Sequence, residues 1–305
     1  MAAANENIPM TTSDQPIISV LVTIYNRAHI LQETVDSILE SDFKDFELIL
    51  VDDCSKDSSF SLAQQLAKRD SRIRAFQNIE NLGDYANRNE AASKARGKYL
   101  KYVDADDMVY PYTFSVMLKA MEQFPDAALA LSLNNSDPAQ PFPFCTSERA
   151  TLRAHFLGKS LFGVGPTASL IRTDSFQAVG GFSGRQFVGD TELWFKLAER
   201  WPLVSLPPAL VWWRQHDGQQ IQLEQKTTQM LNVRHKLELE TLHSTSHLNT
   251  EEKKLVGERI KRTHARRILS MMLRRKSPKL AWHTFQTSGL SFSELIGGFR
   301  GYPNP

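Results

Sequence analysis

Phe46–Ser58 reads FELILVDDCSKDS. Phe46 to Val51 has the length of a strand, and it runs directly into Asp52, Asp53 and a polar turn. The same pattern returns at Tyr99–Val103, where the strand YLKYV ends in Asp104-Ala105-Asp106-Asp107. Upstream, Ile17–Ile24 (IISVLVTI) is β-branched and apolar nearly throughout, as a strand covered on both faces should be. Between these runs lie helical patterns. Ile30, Leu31, Thr34, Val35, Ile38 and Leu39 form a stripe at helical spacing, Asp57 or Ser58 can cap a helix reaching Lys68, and Tyr85–Lys94 reads as a helix closed by Gly97. Ile73–Phe76 is a third strand, Pro111 opens a helix to Phe124, and Ala127–Leu133 is a further strand.

Strands alternating with helices imply a mostly parallel sheet flanked by helices, an α/β fold. Ligands of such sheets bind at the carboxyl ends of the strands. The two aspartate pairs therefore belong on one rim. In an extended segment residues i and i+2 face the same side, so Asp104 and Asp106 can converge. Hard divalent cations prefer such oxygen ligands and bridge them to phosphates. The competing reading of DADD is a polar turn that leads into the helix after Pro111.

Composition narrows the classes. The 305 residues carry a formal net charge of +2, which gives no global argument for nucleic acid. Two cysteines, Cys54 and Cys145, are too few for a disulfide framework or a zinc cluster, and reduced thiols in the cytosol are the default. No apolar run reaches the 18 or so residues that span a bilayer, and Met1–Gln15 reads as a disordered lead-in without signal-peptide character. Between Glu251 and Lys279 eleven Lys and Arg stand against three Glu, a local excess of eight, with a broken apolar stripe of Val256, Ile260, Ile268, Met272 and Leu273. Two readings remain open here: a solvated helix packed on the catalytic domain, and a basic amphipathic helix in peripheral contact with an anionic membrane.

Four motifs in order, VTIYNRA (22–28), FELILVDDCSKDS (46–58), NLGDYANRNEAASKARGKYLKYVDADD (81–107) and GDTELWFKLAERW (189–201), with GGF at 180–182 and RQH at 214–216, resemble a family 2 glycosyltransferase of GT-A fold. The resemblance implies an inverting, metal-dependent transferase with Mn²⁺ or Mg²⁺ as cofactor. Its donor is a nucleotide-sugar, UDP- or dTDP-linked. Its acceptor is a saccharide or a lipid-linked glycan of surface polysaccharide synthesis. No nucleic acid is expected; the thiols put the protein in the cytoplasm, and peripheral contact at the inner membrane face through 251–279 stays one of the two open readings of the basic segment. The resemblance divides the chain into a catalytic domain over 16–220, with a nucleotide-binding half to 134 and an acceptor half from 135, and a helical basic extension over 221–305. It places Thr23 and Tyr25 in the nucleobase pocket, Asp53 on the pyrimidine imide, Arg88 near the phosphates and Asp104 on the ribose. It makes Asp106 the metal ligand, brings His216 near the metal or diphosphate, and makes Asp190 the general base.

The chain departs from the family's pattern in two places. Thr23-Ile24 stands where proline is frequent, and Gly189-Asp190 replaces a Glu-Asp pair, which leaves Glu192 as a rival base. Two alternatives compete with this reading. A nucleotidyltransferase would carry a glycine-rich phosphate loop after the first strand, and TIYNRAH (23–29) has no glycine. A non-catalytic sugar-binding relative has no need of Asp104, Asp106 and Asp190 together.

Overall fold

In the computed structural model residues 15–133, 139–158, 160–215, 224–273 and 277–300 are described. The strands are β1 (Ile18–Ile24), β2 (Phe46–Asp52), β3 (Ile73–Gln77), β4 (Tyr99–Tyr102), β5 (Met108–Val109), β6 (Leu129–Ser132), β7 (Phe144–Thr146), β8 (Ser169–Arg172), β9 (Leu203–Leu206) and β10 (Val211–Trp212). Eight of them form one sheet in the order β3-β2-β1-β4-β8-β6-β9-β7, and β10 pairs with β5 beside it. The helices α1 (Leu31–Leu39), α2 (Ser59–Arg69), α3 (Asp84–Ser93), α4 (Thr113–Gln123), α5 (Glu148–Leu157), α6 (Thr173–Ala178) and α7 (Gly189–Ala198) are interleaved with the strands.

Side-chain alternation along the central strands builds both layers. Val20, Val22, Leu48 and Leu50 point to one face and pack with Leu31 and Val35 of α1, Leu66 of α2 and Met117 of α4. Leu21, Ile49 and Val51 point to the other, where Ala91 of α3 and Leu193 and Leu197 of α7 cover them. Each fully buried Leu, Ile or Val contributes about 1.5–3 kcal/mol, so these two strands anchor the fold.

The sheet is parallel from β3 through β4, as the alternation predicts, but β8 runs antiparallel to both β4 and β6, and β7 antiparallel to β9. Because β8 is reversed, its start lies beside the carboxyl end of β4. The short 3₁₀ turn Pro166–Ala168 that precedes it is thereby delivered to the aspartate rim. Gly97 also differs from expectation. α3 ends at Ser93 with Lys94 as its right-handed C-cap. Gly97 instead lets the chain pass against β1, where a Cβ would lie 2.6 Å from the Ser19 nitrogen. Cys54 and Cys145 are both free thiols.

The C-terminal helices α8 (Glu224–Ser244), α9 (Thr250–Leu273), α10 (Pro278–Ser288) and α11 (Phe292–Gly297) pack on one another and on the catalytic core. Val256 and Ile260 of α9 join the core beneath the sheet, and Ile268 joins a smaller cluster with Met271, Ala281 and Leu295. Most of the apolar stripe of 251–279 thus faces inward, which removes it as a membrane-binding face; only Met272 and Leu273 remain exposed. Several of its cations serve the fold: Arg259 donates to the Leu157 carbonyl at 2.7 Å, Lys261 pairs with Glu294, and Arg266 donates to the Gly298 carbonyl. Among the described residues no helix is long and apolar enough to cross a membrane.

Between α8 and α9 the rings of His235 and His264 stack at 4.2 Å. His264 Nε2 donates to Asn232 Oδ1 at 2.8 Å, while the Nδ1 atoms of both rings are buried without partners. Burial, aided by Lys261, Arg267 and the neighbouring ring, pushes His235 down to about 4 and His264 down to about 3. Both rings fold neutral while the unfolded chain takes up protons near pH 6.5, so their stabilising effect is complete above that pH and is lost as pH falls toward 4. Unfolding free energy measured by urea titration should drop by a few kcal/mol between about pH 6.5 and pH 4, and the double substitution His235→Phe, His264→Phe should flatten that slope.

Candidate active site

At the carboxyl edge of β1, β2 and β4 the chain forms a cleft of about 700 Å³. Thr23, Tyr25, Asp53, Arg88, Asp104 and Asp106 all line it, together with Arg27, Asn81, Asp84, Trp213 and Arg214. Six of the eight residues singled out from the sequence therefore meet in one concavity. Asp190 stands just behind it at the start of α7, close enough to Arg88 and Asp104 for their charges to act on its carboxyl. His216 lies outside the described residues.

Each side chain is held by a different element. Asp53 is buried at the end of β2, and its carboxylate accepts from Asn78 Nδ2 (2.8 Å), Leu82 N (2.8 Å) and Gly83 N (2.9 Å). It thus pins the loop between β3 and α3. A carboxylate offers about four acceptor positions, so one remains for a ligand N–H. Tyr25, at 44 % exposure, is a rim aromatic with a free face.

Arg88 of α3 is buried between two carboxylates. Its Nε meets Asp84 Oδ1 at 2.9 Å and its Nη2 meets Asp104 Oδ1 at 2.8 Å. Burial opposes its charge, but Asp104 and Asp84 outweigh that and push its pKa up. Arg88 Nη1 is buried without a hydrogen-bond partner, a donor that an anionic ligand would satisfy.

The DADD turn is fixed from three directions. Thr34 Oγ1 of α1 donates to the carbonyls of Ala105 (3.0 Å) and Asp107 (2.9 Å). Thr167, in the 3₁₀ turn before β8, accepts from Asp104 N and donates to Asp107 Oδ2 at 2.8 Å. Arg214 Nε donates to the Asp106 carbonyl at 3.1 Å, and its Nη2 pairs with Glu33 at 2.6 Å. Asp106 itself pairs with Arg27 Nε at 3.2 Å. Beneath the turn Lys101 is fully buried and donates to the Thr167 carbonyl; burial pushes its pKa down to about 7, against the pull of Asp104 and Asp107. Burial and the nearby Asp104 push Asp107 up.

Burial also raises Asp190, although Thr191 N donates to it at 2.6 Å and Arg88 draws it back. The helix N-terminus alone would lower its basicity; desolvation prevails. Glu192 faces away, engaged with Arg185 Nε at 3.2 Å and with Ser183. Gly189 has a steric reason: a Cβ there would lie 2.7 Å from the Tyr85 ring, which stacks on Phe182. The GGF segment is tied to α3 by Asn89, whose side chain bonds both Phe182 N and Phe182 O.

Among the described residues no three His, Cys, Asp or Glu side chains form a ready-made metal cage. Asp104 and Asp106 do border one cleft. Two carboxylates completed by phosphate oxygens and water is a usual arrangement for Mg²⁺, so this donor set fits a cation that arrives with a phosphorylated ligand. Sequence reasoning did not single out Arg27, Lys101, Thr167 and Tyr85. Arg27 carried a signal, a cation directly after the first strand; the other three acquire meaning only from tertiary neighbours.

The family model described as "Glycosyl transferase family 2" matches residues 19–180. The putative teichuronic acid biosynthesis glycosyltransferase TuaG of Bacillus subtilis is 38 % identical over 96 residues, 32 % of this chain and 38 % of that protein. The GalNAc(5)-diNAcBac-PP-undecaprenol beta-1,3-glucosyltransferase of Campylobacter jejuni is 32 % identical over 148 residues, 48 % of this chain and 44 % of that protein. The chain covers less than half the length of these curated relatives. The crystal structure of S. aureus TarS 1-349 in complex with UDP-GlcNAc superposes with a TM-score of 0.67 at 16 % identity, covering 92 % of this chain and 83 % of that one, a likeness of fold.

Removing the Arg88 guanidinium leaves Asp84 and Asp104 without their shared cation. Arg88→Met should cost about 2–4 kcal/mol, read by chemical denaturation, and the loss should shrink when Asp104→Asn is added.

Proposed function

The chain belongs to glycosyl transferase family 2, and from that premise we propose that it transfers a glycosyl group from a UDP- or dTDP-linked sugar to a hydroxyl of a saccharide or lipid-linked acceptor, inverting the anomeric centre. The observation that carries this reading is the single cleft lined by Thr23, Tyr25, Asp53, Arg88, Asp104 and Asp106, with the elevated Asp190 carboxyl behind it.

Tyr25 offers a face for a nucleobase, and the remaining acceptor position of Asp53 suits the imide N–H of uracil or thymine. Asp104 accepts from the ribose. Arg88, held charged and with one unpartnered N–H group, faces the diphosphate. Asp106, with Asp104 beside it, would hold Mn²⁺ or Mg²⁺, which when bound neutralises charge on the leaving diphosphate. The acceptor oxygen attacks the anomeric carbon from the face opposite the diphosphate. The bond from that carbon to the phosphate oxygen breaks, and its electron pair leaves with the nucleoside diphosphate. Asp190 takes the hydroxyl proton, a role that its raised pKa favours. The Campylobacter relative, whose name specifies a PP-undecaprenol-linked glycan, supports a lipid-linked acceptor.

Three outcomes test this. Asp190→Asn should lower transfer by on the order of 10²-fold or more with nucleotide affinity nearly unchanged, whereas Glu192→Gln should be mild; the reverse would move the base to Glu192. In the native protein the rate should fall on acidification at a pH above the ordinary aspartate range, because burial raises the Asp190 carboxyl. By calorimetry in Mn²⁺, UDP and dTDP should bind more tightly than ADP, with GDP as the serious competitor through its own ring N–H, and Asp106→Asn should weaken UDP binding sharply without loss of fold.

A further inference from the structure

Helices α10 and α11 carry an apolar surface that the fold uses only at its base, through Phe285. Trp282 and Phe285 of α10 have ring centroids 5.6 Å apart, and Phe285 lies 6.3 Å from Phe292 of α11. Ile296 follows Phe292 one helical turn on, and Phe299 comes just after the helix. Trp282 is 50 % exposed, Phe292 63 %, Ile296 50 % and Phe299 68 %. Beneath them lies a small core that includes Ala265, Ile268, Met271 and Leu295; Phe285 packs against it, while the four exposed side chains do not belong to it. Large apolar residues scattered singly on a surface are ordinary, whereas a contiguous ridge marks a contact.

The other edge of α11 borders a cleft of about 590 Å³. Lys253, Lys254, Lys261, Arg262 and Arg300 line it against only Glu258 and Glu294, so five cations face two carboxylates. Lys261 is matched by Glu294 at 2.6 Å and Arg262 by Glu258 at 3.1 Å, which leaves an excess of three positive charges. One short helix therefore separates an aromatic ridge from a cationic cleft.

We propose that this face docks on an anionic lipid surface, with Trp282, Phe292, Ile296 and Phe299 entering the interfacial layer and the cleft receiving headgroup phosphates. Aromatic rings partition to the layer between hydrocarbon and water. Peripheral attachment draws jointly on buried apolar area and on attraction between basic side chains and anionic headgroups. The two features occur side by side here, and neither alone would anchor the protein. A second copy of the chain is disfavoured as the occupant, because a twofold contact through this face would bring the same surplus of positive charge together. The face is distinct from the inward stripe of α9, and the proposal goes beyond the transfer reaction without resting on it.

The test is co-sedimentation of the full chain with vesicles of phosphatidylcholine alone or with about 30 % phosphatidylglycerol, at low and high salt. The protein should pellet with the anionic vesicles and be partly released by salt. Phe292→Ser with Ile296→Ser, and separately Lys254→Glu with Arg300→Glu, should each weaken binding about tenfold, with circular dichroism and UDP affinity unchanged. Brominated lipid should quench tryptophan emission of the native protein more than that of Trp282→Phe, a readout that survives if a serine variant misfolds. Equal binding to neutral and anionic vesicles, or binding indifferent to both pairs of substitutions, overturns the proposal. So does absence of vesicle binding together with a concentration-dependent dimer in light scattering that Phe292→Ser abolishes, which would assign the ridge to a contact between copies.

Discussion

A guanidinium cut off from water must be matched by carboxylate, and the site is arranged around that requirement at Arg88. Its two partners belong to different parts of the chain: Asp84 opens its own helix, while Asp104 lies in the turn after β4. The pair of bridges therefore fixes where α3 stands relative to the sheet edge, and α3 in turn holds the GGF segment through Asn89 and supports α7 through Tyr85. The carboxyl of Asp190 sits within the influence of the same cation. The end of β4 and the start of α7 thus share the influence of one buried charge, which gives the site a common reference point that no single loop could supply.

Much of this could be read from the sequence because two signals reinforce each other. The β-branched runs at 18–24 and 46–52 are buried on both faces, and chains of that kind have little choice but a covered parallel sheet. A strand that ends in aspartates then places them on the rim by topology alone, which is why Asp53, Asp104 and Asp106 were legible as neighbours. Asp190 was legible only by likeness to the family, since nothing in its local spacing fixes its distance from the rim.

What the sequence hid depends on partners far apart in the chain. The reversal of β8 follows from pairing with β4 and β6, some 70 and 40 residues earlier in the chain, and no local pattern encodes that direction. Thr167 is one of many threonines until the reversal brings it beneath Asp104 and Asp107. Lys101 looks like an ordinary polar position on a strand, yet it is fully buried within reach of the charges of Asp104 and Asp107. The stripe of α9 was legible as amphipathic, but periodicity cannot say whether an apolar face meets lipid or protein, and here α8, α10 and α11 cover most of it.

The ion pair between Arg27 and Asp106 gives the cleft the character of an exchange site. On the proposed function, a divalent cation bound at Asp106 would have to displace the Arg27 guanidinium, so its net affinity would be a difference between two attractions. The Arg27 guanidinium belongs to the loop after β1, as Tyr25 does, and lines the same cleft. On the same reading, metal and diphosphate entry would be coupled through a group that belongs to neither, since a diphosphate that received the released Arg27 would favour the exchange that freed it.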